Sequence, residues 1–298
     1  MSASSTGSGE PAVEATSEYD PASHYDRVTA AWQLLLGDEL HYGVFDSGDE
    51  LLEVATGALT ARMVQAAGFA ELAAARSPAR VRVLDVGCGS GAPACELRTT
   101  EGVEVVGITT SGVGVDAARA RATALGIDGV SFEQRDGMDN GFADAEFDVV
   151  WALESSHLMR DREALINECA RVLRPGGRLV LCDLVKWRDI PFAEVRGRIA
   201  DFATLREAFG DAHFESLDYY AGTATAAGLT VERTDDLTAA TLPTFDRWRA
   251  NAATHRDEVV GLIGIGGHEA FVRSCDILEA FWRDGTFGYG LISAVRPS

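Results

Sequence analysis

Three features of this sequence predict an α/β fold built on a doubly wound, mostly parallel sheet. From Val81 onward, short apolar runs alternate with longer stretches of helical spacing, the pattern of successive βαβ units. A glycine-rich string, Asp85-Val86-Gly87-Cys88-Gly89-Ser90-Gly91, follows the first run and opens a helix. Arg174-Pro175-Gly176-Gly177 then reads as a turn that stops a helix before a fifth run.

The spacing predicts strands at Arg82–Val86, Glu104–Thr109, Val130–Arg135, Phe147–Ala152 and Gly177–Leu184. Between them, helices are expected at Ala92–Thr99, Gly114–Leu125 and Arg162–Leu173. A helix at Tyr219–Gly228, a strand at Leu229–Arg233 and a last strand at Phe287–Val295 bring the expected sheet to seven strands, Rossmann-like in winding. Ahead of the sheet, His24–Leu36 and Leu51–Ala75 carry helical apolar spacing, so residues 24–75 are expected to form a helical cap. Residues 76–298 form the main domain, with helical lid insertions at about 188–218 and 243–285. Residues 1–23 hold small and acidic residues and are expected to be a disordered tail.

Composition narrows the function. The formal net charge is -20, a field that repels phosphate backbones, so a nucleic-acid substrate is disfavoured. Five cysteines lie scattered, without the paired spacing of a zinc site, and fit reduced thiols in the cytoplasm. The chain has no secretory leader pattern and no apolar run long enough to cross a membrane, and homo-oligomerisation is left open.

The glycine string has a G-x-G-x-G spacing with Asp85 two residues before its first glycine. Dinucleotide sites carry G-x-G-x-x-G instead. Further markers follow in order: Val106-Gly107-Ile108-Thr109, Asp136-Gly137-Met138, Phe147-Asp148-Val149-Val150-Trp151 and Arg171-Val172-Leu173-Arg174-Pro175-Gly176-Gly177. Over about Val83 to Val185 the chain resembles the class I S-adenosylmethionine-dependent methyltransferase family. That resemblance implies that Asp85, Gly87, Cys88, Gly89 and Gly91 line the methionine end of the cofactor. It also implies that Asp136, with Gly137 or Met138, holds the adenine, and that Thr109 meets the ribose. Many members carry an acidic residue at the Thr109 position, and a subgroup supplies a glutamine near Gly114, so the chain departs from both patterns there. His41-Tyr42-Gly43 and Tyr25 resemble the cap of natural-product methyltransferases, whose aromatics close over the methionine moiety.

Methyl transfer is an in-line displacement that needs near-attack geometry and often a base for the acceptor proton. Glu154 and His157 follow the fourth strand and Asp183 ends the fifth, so all three point to one crevice at the carboxyl ends of the strands. The segment Glu154-Ser155-Ser156-His157-Leu158-Met159 resembles two subfamilies. Sugar and alcohol O-methyltransferases use a histidine paired with an aspartate here, although Leu158 stands where they often carry a second histidine. Geranyl diphosphate C-methyltransferases carry a matching Glu-Ser in which the glutamate is the base. The small-molecule acceptor is expected to be largely apolar, because Phe202, Phe209, Phe214, Trp248 and other aromatics fall in the lid. Arg247, Arg249 and Arg256 are candidates to meet a diphosphate, which would bring magnesium with it. A cyclase or binding protein that keeps the fold without consuming the cofactor is the competing class.

Overall fold

The computed structural model describes residues 21–77, 79–100 and 102–298, and of residues 21–26 the backbone only. The tail expected at its start lies outside the described residues except for 21–23, which open the first helix, Pro21–Leu36. Among the described residues seven strands form one sheet: β1 (Val81–Val86), β2 (Val103–Thr109), β3 (Val130–Gln134), β4 (Phe147–Leu153), β5 (Leu173–Lys186), β6 (Thr230–Asp236) and β7 (Phe287–Val295). Their order is β3-β2-β1-β4-β5-β7-β6. The pairings among β1 to β5 are parallel, and β7 runs antiparallel to both β5 and β6. Strand order reverses between β1 and β4, and a ligand crevice opens at such a point beyond the carboxyl ends.

Alternation along the strands divides the core into two layers. Val83, Val149, Trp151, Val180 and Tyr289 face one layer, and Leu84, Val150, Leu179, Leu181 and Ile292 face the other. The first layer is covered by the cap helix Leu52–Ala67 and by the lid helices Thr244–Thr254 and Arg256–Arg283. The second is covered by helices Arg162–Val172 and Leu217–Ala226. β4 is buried along its whole length, which explains why it is apolar except at Asp148, whose carboxylate accepts from Arg82 N and the Arg174 guanidinium. Ser111, Asp161 and Ser216 each cap a helix by accepting a backbone N–H, from Gly114, Ala164 and Tyr219 respectively.

Three segments differ from the sequence expectation. The apolar stretch Leu51–Ala75 is two helices, Leu52–Ala67 and Phe69–Arg76, because Gly68 takes a left-handed conformation and ends the first. Residues 174–177 do not stand outside the sheet but belong to β5, whose register against β4 shifts there, with Gly176 N donating to Arg296 O at 2.7 Å. The second lid insertion contains Thr244–Thr254 and Arg256–Arg283, and the latter breaks at Gly264. No helix among the described residues is long and apolar enough to cross a membrane.

Trp151 is fully buried at the centre of β4 and packs in the first layer. Trp151→Ala is expected to lower the unfolding free energy by about 3–5 kcal/mol, read from urea unfolding.

Candidate active site

The loop after β1 is held from both sides. Gly87 N and Cys88 N both donate to Ile108 O of β2, at 2.8 and 3.0 Å. Ser155, just past β4, donates its hydroxyl to Val86 O at 2.6 Å. Gly87 has φ +81°, and a Cβ there would stand 2.2 Å from Ser155 Cβ, so only glycine lets the two strand ends approach. Gly89 has φ +52°, yet a Cβ there would meet nothing within 4 Å, so its backbone faces open space. Beside it, Asp85 is buried with Oδ2 unpartnered among the described residues. Burial pushes this carboxyl up to about 7. Asp85, Gly87, Cys88 and Gly89 border a small void whose opposite wall is Glu39, Leu40 and His41 from the cap, with Glu154 at its side. An open glycine backbone beside a buried, unsatisfied carboxylate fits a ligand with a cationic end.

Thr109 ends β2, and its hydroxyl accepts from Ser111 N at 3.2 Å. Asp136 is exposed and caps its own turn, accepting from Met138 N at 2.9 Å. Gly137 packs so closely on Val86 and Met159 that this turn sits against the end of β1. The backbone of Tyr25 belongs to the first helix, and its side chain lies outside the described residues.

The fifth strand, which runs past its expected end at Leu184 to Lys186, carries a buried ionic centre at Asp183 near its carboxyl end. Asp183 is 0% exposed, and its two oxygens accept from Ser156 Oγ at 2.5 Å, His157 N at 3.1 Å and Leu184 N at 2.7 Å. His157 Nδ1 lies 2.7 Å from Asp183 Oδ1. A one-turn helix, Ser156–Leu158, brings both the ring and these donors to the carboxylate. The Tyr220 hydroxyl braces Ser156 Oγ at 2.7 Å. Burial opposes charge on both partners, but their mutual attraction and hydrogen bonds win, raising His157 and lowering Asp183. With Nδ1 so engaged, Nε2 becomes the acceptor atom, and no described residue hydrogen-bonds to it.

His157 and Glu154 both line a cavity of about 660 Å³ between the sheet and the lid. Trp32, Phe202, Phe209, Phe214, Trp248 and Leu278 make its walls largely apolar. Glu154 also borders the small void, so it stands where the two spaces meet. Its φ is +47°, an unfavourable conformation for a non-glycine residue, held by the sheet through Glu154 N and Cys182 O at 2.8 Å. Oε1 accepts from Tyr42 N at 2.7 Å and from the Tyr289 hydroxyl at 2.5 Å. Burial raises this carboxyl despite His41 and those two donors.

The structure separates residues that the sequence grouped. Tyr42 does not border the small void: its ring is enclosed by Trp248, Trp282, Tyr289 and Phe245, at centroid distances of 4.6 to 5.6 Å. Leu40 and His41 occupy that wall instead. Phe245, Phe281 and Trp282 are core residues, whereas Phe192 is 78% exposed. Arg247 donates to the carbonyls of Gly48 and Glu50, and Arg249 pairs with Asp246, Asp276 and Glu279. Neither these arginines nor Arg256 lines the cavity. The cations that do, Lys186, Arg188 and Arg206, are paired with Asp189 and Glu215, with Glu194, and more loosely with Asp211 at 3.7 Å. Among the described residues no group of three or more His, Cys, Asp or Glu side chains is placed to hold a metal. The sequence reading missed Ser156, Tyr220 and Tyr289 as supports and Trp32 as a wall. Of these only Ser156 carried a signal, its adjacency to His157.

Residues 84–181 match a family model described as a methyltransferase domain. The 27-O-demethylrifamycin SV methyltransferase of Amycolatopsis mediterranei is 36% identical over 275 residues, covering 92% of this chain and 95% of that one. The chain belongs to the class I S-adenosylmethionine-dependent methyltransferases. Among solved structures, the methyltransferase resembles the [4+2]-cyclase SpnF with a TM-score of 0.74 at 26% identity, covering 93% of this chain and 95% of that one. It shares the fold of geranyl diphosphate C-methyltransferase from Streptomyces coelicolor A3(2), with a TM-score of 0.65 at 20% identity over 96% of this chain and all of the other (100%). Its cofactor is S-adenosylmethionine, whose cationic methionyl end is the kind of group that the void beside Asp85 and Gly89 suits. It is a methyltransferase of the natural-product type.

A side chain at Gly89 would project into the open space above the loop. Gly89→Val is expected to weaken S-adenosylhomocysteine binding by about a hundredfold, close to 3 kcal/mol, in titration calorimetry. An unchanged affinity in a folded variant would place the cofactor elsewhere.

Proposed function

We propose that this enzyme methylates a hydroxyl oxygen on a largely apolar small molecule, with His157 as the base and Asp183 as the residue that orients it. The supporting observation is the 2.7 Å contact from His157 Nδ1 to Asp183, which leaves Nε2 as the acceptor on a ring lining the 660 Å³ cavity. When bound, the cofactor supplies an electrophilic methyl group on a sulfonium. The apolar walls hold the acceptor and exclude water, while His157 Nε2 takes the hydroxyl proton as the carbon–oxygen bond forms and the carbon–sulfur bond breaks. The imidazolium so formed is stabilised by Asp183.

Glu154 marks the passage between the cofactor void and the acceptor cavity and holds the cap through Tyr42 N. Asp85 with Gly87 to Gly91 is assigned to the methionyl end, Thr109 to the ribose, and Asp136, Gly137 and Met138 to the adenine. A prenyl diphosphate acceptor for C-methylation is less well supported, because the candidate arginines do not line the cavity and the cations that do, Lys186, Arg188 and Arg206, already have carboxylate partners. The net charge of -20 supports a small acceptor over nucleic acid. A relative with 27-O-demethylrifamycin in its name supports oxygen as the atom methylated.

His157→Ala is expected to lower kcat by about 10²–10⁴-fold with an alcohol acceptor, and Glu154→Gln by much less. The reverse order would favour carbon as the acceptor atom, and a product of unchanged mass would favour cyclisation. Only the neutral imidazole accepts a proton, and Asp183 raises His157 above the ordinary histidine value of 6.5, so activity should fall on the acid side from a midpoint above 6.5. Removing the charge in Asp183→Asn should move that midpoint to lower pH in a kcat–pH profile.

A further inference from the structure

A second buried ionic group lies behind the cofactor void, and the methyl-transfer chemistry makes no use of it. His41 Nε2 is 3.0 Å from Glu39 Oε2, and His41 Nδ1 is 2.8 Å from Tyr42 O, so the ring bridges both ends of the cap turn 39–42. From the other side Glu96, on the helix Ala92–Arg98 that follows the glycine loop, brings its carboxyl against that of Glu39. Glu96 Oε2 and Thr60 Oγ1 are shut off from solvent without a donor among the described residues, and the equally buried Glu39 Oε2 has only the His41 ring beside it. Two carboxylates cannot hold such a contact unless one carries a proton. Independently, Asp85, itself buried with an unpartnered oxygen, borders the void whose far wall is Glu39 and His41.

We propose that Glu96 is a positioning residue for cofactor binding: a proton shared between Glu96 and Glu39 latches the cap turn over the glycine loop. The turn needs such a latch. Leu40 has φ +54°, a strained value for leucine, and the turn is otherwise anchored by Tyr42 N on Glu154 Oε1 and by Arg121 donating to Asp38 O at 3.3 Å. His41 favours the charged form of Glu39, so the proton resides on Glu96, which burial and the Glu39 charge push up to about 7. The sign follows from a raised acid: the latch is complete below the ordinary carboxyl range and is lost as pH rises through about 7. The other groups acting on the cluster are Thr56 and Thr60 on helix Leu52–Ala67 and Glu154 after β4, while Asp85 on β1 shares the void with Glu39 and His41 and Arg121 on helix Gly112–Leu125 holds Asp38 O.

S-adenosylhomocysteine is the suitable probe, since its ammonium and carboxylate cancel and the field of the cluster has little net charge to act on. Calorimetric titration of the full chain should show affinity falling about fivefold between pH 7 and 8, as the latched population shrinks. Binding at pH 8 should take up close to one proton, measured in buffers of different ionisation enthalpy. Glu96→Gln supplies a neutral donor to Glu39 and should bind at the wild-type low-pH affinity, independent of pH and without proton uptake. Glu96→Ala should bind weakly at every pH while its circular dichroism stays native. A wild-type affinity that is flat or rises with pH overturns the latch, as does a slope that persists in Glu96→Gln, which would assign the titration to Asp85. The inference rests on the cofactor site and not on the atom methylated: failure of His157→Ala to slow O-methylation would leave these titrations unchanged. Absence of binding at every pH would overturn both.

Discussion

The carboxylate of Asp183 is the charge around which the sheet side of the large cavity is organised. Burying a carboxylate costs several kcal/mol unless donors replace its water. Here the donors are Ser156 Oγ, His157 N, His157 Nδ1 and Leu184 N. Three of the four come from the turn after β4, so satisfying one charge near the end of β5 fixes the fold of that turn. The same bonds set the ring of His157 and decide which of its nitrogens faces the cavity. Tyr220, reaching from a helix on the far layer, ties this centre to the second core.

The glycine loop depends on a comparable closeness. Ser155 lies against Gly87 and bonds the last carbonyl of β1, so the glycine loop and the turn after β4 share one contact at the reversal of strand order. Glu154, next in line, is bent into a positive φ and takes its hydrogen bonds from the cap and from β7. Cap, sheet and lid therefore meet at one carboxylate. The antiparallel β7 is what makes this possible, since it carries Tyr289 into the core beside β5. Local strain at Glu154 and Leu40 is held in place by the packing on either side of them.

Much of the fold was legible because its signals are local. β7 has the bounds expected from its apolar run, and β1, β2 and β4 begin or end within a residue of theirs. The departures have physical causes. Gly68 lies inside a continuous helical periodicity, and nothing short of its φ of +63° reveals that the chain turns there. Residues 174–177 carry the composition of a turn, yet Arg296 from the chain end pairs with them and draws them into the sheet. Of the aromatic residues in the lid, helical spacing alone could not separate the cavity walls Phe202, Phe209 and Phe214 from core residues such as Phe281.

By itself the sequence determined the sheet, the glycine loop and the place of Glu154, His157 and Asp183 at strand ends. Those follow from period-two burial, from left-handed backbone that glycine adopts freely, and from the rule that ligands meet parallel sheets at their carboxyl ends. Only the tertiary structure decided that His157 and Asp183 form a pair while Glu154 serves the cap, and that Arg247 and Arg249 are spent on carbonyls and carboxylates elsewhere. It alone brought Glu39 against Glu96. The reason is common to all of these: a side chain's partners and protonation depend on which distant elements pack beside it, and no local pattern encodes that distance.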